Sequence, residues 1–213
     1  DQDHPDIFGR IAGVYTQYGL DPNPADTNGG HGTHVAITLA GDGTGDSNAE
    51  GIAPGAYIVA YALEHNPTGI FGRIGSIYDM LNHAEQEGSR VAVNAWGLNG
   101  NYGAYTADSR SVDVFVNDNP EFLPIFSAGD DPSQNSSSVM APSTAKNVLS
   151  VGASTTNPSG SVANFSSLGP SLDGRVKPDI VAPGVAICSA RAEEAAIPVG
   201  TSCGSGTHAN GNA

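Results

Sequence analysis

The residues best suited to chemistry gather around one glycine-rich stretch, Asn28-Gly29-Gly30-His31-Gly32-Thr33-His34-Val35-Ala36. A polar loop ends at His31, and Val35, Ala36, Leu39 and Ala40 follow with helical spacing. Asp26, Thr27 or Asn28 is placed to cap that helix. An imidazole at a loop-to-helix junction can face a cleft while its backbone is held rigid, as a general base requires. Taken alone, such a histidine is as readily a cap or a surface residue. Cys188 and Cys203 show no zinc-ligand spacing. They are two buried thiols or a disulfide closing a loop of about 15 residues, worth roughly 3 kcal/mol in the chain-entropy model. We favour the disulfide.

These residues need a scaffold, and 213 residues suffice for one domain with a sizeable core. The formal net charge is −14, from 22 acidic and 8 basic residues, which excludes a basic stripe for nucleic acid. It fits a soluble extracellular protein, adapted to salt or binding calcium, or simple solubility. No apolar run is long enough to span a bilayer. The chain opens on polar residues rather than a signal peptide, as expected of a mature or excised segment or of a cytoplasmic protein.

Residues 1–30 read mostly as loop. Buried strands are expected within 51–63, 90–94, 122–128 and 141–154, with helices over 74–88 and 106–117. Alternating strands and helices imply right-handed crossovers and a parallel sheet. Ligands bind at the carboxyl ends of such strands, where Gly97, Asp130 and Ser154 fall.

Asn28 to Ala40 resembles the histidine motif of the subtilisin-like serine proteases, the subtilases, in which H-G-T-H-V-A opens a buried helix. Phe165-Ser166-Ser167-Leu168-Gly169-Pro170 and Lys177-Pro178-Asp179-Ile180-Val181-Ala182-Pro183-Gly184 resemble two further motifs of that family at the family's spacing. The resemblance covers roughly residues 4 to 190 and looks closest to the alkaline, oxidatively stable bacterial branch. It implies an α/β fold of three layers, a mostly parallel central sheet flanked by helices. Residues 1–213 would be one catalytic domain core, truncated at both ends.

The implied reaction is peptide hydrolysis by a serine, a histidine and an aspartate, with donors holding the oxyanion. The resemblance makes His31 the general base and His34 a packing residue. Ala95-Trp96-Gly97 and Ser127-Ala128-Gly129 match the segments that line the substrate cleft. Asp130 matches the oxyanion asparagine. Gly200-Thr201-Ser202 matches the start of the serine motif, where the family's serine opens an apolar helix. Cys203 to Ala213 is instead polar and glycine-rich, so a long surface loop over 192–213 is the rival reading.

Four positions depart from the family pattern: Ile37 for glycine, Ala95 for serine, Asp130 for asparagine and Leu168 for arginine. The family's aspartate motif has no counterpart before His4-Pro5-Asp6, since Asp1 matches a later position, and Asp26 follows no apolar strand. An isolated chain of these residues is therefore expected to be inactive. The alternative is a non-catalytic subtilase-like binding or regulatory module. The other expectations are polypeptide substrates, no nucleic acid, no membrane, a monomer, secretion, and no cofactor for the chemistry. Structural calcium is possible, with its ligands unknown.

Overall fold

The computed structural model describes residues 1–16, 29–65, 70–73, 75–132, 137–157, 160–193, 195, 201–203 and 208–211. In chain order the elements are β1 (Ile11–Thr16), α1 (His31–Ala40), β2 (Ile58–Ala62), β3 (Glu64–His65), β4 (Ile70–Phe71), α2 (Ile77–Gln86), β5 (Val91–Asn94), α3 (Ala107–Asp118), β6 (Leu123–Ser127), β7 (Leu149–Ser154), β8 (Ile180–Pro183), β9 (Ile187–Ala190), β10 (Thr201–Ser202) and β11 (His208–Gly211). They fall into two units, residues 1–74 with 186–213, and residues 75–185.

In the first unit β1 runs parallel to β2, with a register irregularity between Ile11 and Gly13. Residues 11–16 are therefore a strand, not the loop expected from sequence. Gly13 breaks the apolar run that would have marked the strand. It is also the residue that lets the chain pass the ring of Tyr15: a Cβ there would lie 2.9 Å from Tyr15 Cε2. Tyr15 in turn stacks on Tyr61 of β2, with ring centroids 5.5 Å apart.

The core of this unit joins Ile7, Ile37 of α1 and Ala190 of β9, with Ile11, Ala36 and Ile58 packed around them. The residue before α1 is Gly30 at φ 72° and ψ 13°, which has no side chain of its own with which to cap the helix. Asp26, Thr27 and Asn28 lie outside the described residues.

Towards the C-terminus, the described residues 201–202 and 208–211 are strands. β10 and β11 pair antiparallel, and β11 pairs antiparallel with β9. A disulfide joins Cys188 and Cys203, whose Cα atoms are 6.1 Å apart, and closes the segment between them. Pairing and the covalent bridge together offset the poor strand propensity of this glycine-rich stretch.

The second unit holds a parallel sheet in the order β5-β6-β7-β8. Its helices begin with reciprocal caps. Ser76 and Asp79 form a capping box at α2, and Thr106 with Ser109 forms one at α3. α2 and α3 pack together, and Phe115 of α3 meets Tyr78 and Phe122 edge-to-face at 5.6 and 5.0 Å.

The register sorts the strand residues into two faces. Asn94, Phe126, Ser150 and Ser154 lie on a buried face, each no more than 6% exposed. The opposite face carries Val91, Val93, Leu123, Ile125, Val151 and Ile180. Four of these are 40–52% exposed.

Candidate active site

His31 is the first residue of α1, and its side chain is exposed. The helix behind it is tightly held. His34 is 1% exposed, and its Nε2 lies 3.1 Å from the carbonyl oxygen of Ile187, an acceptor that makes Nε2 the donor. The Ser189 hydroxyl donates to the His34 carbonyl at 2.9 Å, and the Thr38 hydroxyl to the same oxygen at 2.8 Å. Strand β9 thus grips the first turn of α1 through both the side chain and the backbone of His34.

Ile37, one of the departures from the family pattern, is fully buried in the core of the same unit. Two glycines pack against it, Gly41 on its side chain and Gly51 on its backbone. A Cβ at Gly41 would sit 2.5 Å from Ile37 Cγ2, and one at Gly51 would sit 2.5 Å from the Ile37 carbonyl oxygen. The close packing that a glycine would give within α1 is supplied by positions 41 and 51 instead.

In the second unit, two strand ends come together over one side chain. Ala95, Trp96 and Gly97 follow β5, and Ala128, Gly129 and Asp130 follow Ser127 at the end of β6. Met140, 5% exposed, lies against both ends. A Cβ on Gly97 would approach Met140 Cβ to 2.8 Å, and one on Gly129 would approach its Cγ to 2.7 Å. Gly129 also has φ +110°, so glycine is required there for backbone and for space.

The segment carrying Met140 is bonded to both ends: Met140 N–H donates to the Ala128 carbonyl and Leu98 N–H to the Ala141 carbonyl, each at 2.8 Å. Trp96 is half-buried and meets Phe126 edge-to-face at 5.5 Å, so it also serves the core. Sequence reasoning did not single out Met140. The signal available was a glycine at each strand end, which implies a large neighbour.

Asp130 is exposed. Its neighbour Asp131 accepts a hydrogen bond from the Tyr102 hydroxyl, which holds Tyr102 protonated above the usual tyrosine range. Ser154 ends β7 and is 4% exposed, so it presents no surface to a ligand. Ser202 lies in the short strand β10, not at a helix start. Among the described residues, no group of three or more His, Cys, Asp or Glu stands close enough together to hold a metal ion. No helix among them is long and apolar enough to cross a membrane.

A parallel sheet with helices packed beside it makes this an α/β protein. A profile of the Subtilase family (Peptidase_S8) matches residues 1–211, and the chain belongs to that family.

Serine protease AprX of Bacillus subtilis is 31% identical over 201 residues, which are 88% of this chain and 45% of that protein. The thermophilic serine proteinase of Bacillus sp. strain AK1 is 30% identical over 192 residues, 89% of this chain and 42% of that protein. The chain thus spans less than half of either relative. The prenylagaramide maturation protease PagA shares the fold at a TM-score of 0.65 and 23% identity, covering 93% of this chain and 64% of that one.

Proposed function

We propose that this chain is part of a serine endopeptidase acting on polypeptides. The observation that carries the proposal is the family match over residues 1–211, with His31 as the exposed first residue of a helix clamped from behind. In this reading His31 takes the proton of an attacking serine, and Ser202 is the candidate nucleophile within residues 1–213. Asp130 occupies the oxyanion position. Ala95, Trp96 and Gly97 flank the substrate on one side and Ser127, Ala128 and Gly129 on the other. The chemistry asks for no cofactor, and any calcium would be structural. The disulfide and the net charge of −14 support secretion of a monomer into an oxidising compartment.

One observation favours a second reading, a binding module without catalysis. A carboxylate at position 130 has no proton to donate to an oxyanion. A fluorophosphonate probe and casein hydrolysis, applied to the complete gene product, separate the two. The protease reading expects covalent labelling and hydrolysis, both lost in His31→Ala, and peptide mapping of the label tests Ser202 directly. Absent labelling with intact folding favours the binding module.

A further inference from the structure

We infer that Ser167 is a positioning residue that fixes the turn carrying Asp130, an inference that rests on the protease reading of that turn. Ser167 is fully buried, and three of its hydrogen bonds bracket Asp130. Its backbone N–H donates to the Gly129 carbonyl at 2.9 Å, on the near side. On the far side its hydroxyl accepts from the Asp131 N–H at 3.2 Å and donates to the Asp131 carbonyl at 3.5 Å. A Cβ on Gly129 would come within 2.9 Å of the Ser167 hydroxyl, so the turn and the serine are packed in contact.

The serine is itself anchored. The adjacent Ser166 hydroxyl accepts from the Ala153 N–H of β7 at 3.0 Å and donates to the Ser167 carbonyl at 3.4 Å. Rigidity therefore passes from the sheet through Ser166 and Ser167 to residues 129 and 131. Asp130 projects into solvent between two fixed neighbours. A carboxylate held this way keeps its charge beside the oxyanion position throughout the reaction, because the turn and not the substrate fixes its direction.

A buried hydroxyl that only filled space would be replaceable by a group of the same shape. A thiol keeps the shape but is a weak donor and acceptor. The experiment therefore compares Ser167→Ala and Ser167→Cys, each alone and combined with Asp130→Ala, in the complete gene product. It reads peptide hydrolysis and amide hydrogen exchange at residues 129–131.

The inference expects both Ser167 variants to raise kcat at least about 3-fold with KM within about 2-fold, since a loosened turn lets the Asp130 carboxylate swing away from the developing negative charge. With Asp130→Ala present, either change should alter kcat less than about 2-fold. Exchange at the Asp131 amide should quicken at least about 10-fold in both variants. Wild-type or lower kcat in Ser167→Cys, or an equal change of kcat with and without the Asp130 side chain, overturns it. If the wild-type protein hydrolyses nothing, the protease reading fails, and exchange alone decides the hold on the turn: unchanged exchange overturns that too.

Discussion

Asp130 carries the sharpest chemical consequence of any single side chain here. An oxyanion needs donors, and a carboxylate brings like charge to the place where negative charge develops. Asp130→Asn keeps the shape and supplies a fixed N–H donor. In the complete gene product, kcat at neutral pH should rise, approaching the roughly 10²-fold value of one oxyanion donor, with little change in KM. An unchanged or lower kcat would remove Asp130 from the oxyanion position.

Tyr105 makes a different prediction. Burial first, and then its 2.7 Å bond to the Asp113 carboxylate, push its pKa up to about 12. Tyr105 is 37% exposed as a residue, but its hydroxyl is bonded to Asp113, which is only 9% exposed. Lys146 and Arg175 stand over the ring at 5.0 and 5.8 Å. The folded state prefers the protonated phenol. That contribution is complete below pH 10 and is lost as pH rises through about 12. Urea unfolding between pH 9 and pH 12 should therefore show a steeper fall in stability for the wild type than for Tyr105→Phe. Equal slopes would contradict this.

Residues of this kind were legible in unequal measure. His31 was marked by the loop and helical pattern around it. Ile37 looked like a fault in the motif, because the glycines that pack against it, 41 and 51, lie outside the motif.

Among the elements, α1 depends on β9, and β9 on the two strands beyond it. The bonds from Ser189 and Ile187 to His34 tie α1 to β9, while the disulfide joins β9 to the end of β10. Cys188→Ala with Cys203→Ala should cost about 3 kcal/mol in urea unfolding at neutral pH, the chain-entropy value for so short a loop. Dithiothreitol should lower the wild type to the same level and leave the double variant unaffected. A double variant as stable as the wild type would mean that strand pairing alone holds the C-terminal end.

The elements α2, α3 and β5 to β7 were legible because apolar spacing marks each of them. β1 was not, since Gly13 and a register irregularity break its pattern. Nor were β10 and β11, whose strand form comes from partners distant in sequence rather than from local preference.

For the molecule as a whole, two properties pull in opposite directions. One face of the β5-β6-β7-β8 sheet shows Val91, Val93, Leu123 and Ile180 to solvent, and the chain carries a net charge of −14. Parallel sheets are ordinarily covered on both faces, so this surface is adhesive. Mutual repulsion between like-charged molecules opposes that adhesion, but only over the screening distance, about 30 Å at 0.01 M salt and about 3 Å at 1 M. The protein is thus a charge-stabilised colloid. Residues 1–213 should stay monodisperse at about 10 mM sodium chloride and neutral pH, and associate as salt approaches about 1 M. Light scattering reads both states, and Val93→Lys with Ile180→Lys should abolish the salt response. Association that weakens with added salt would show that charge, not the exposed sheet, brings the molecules together.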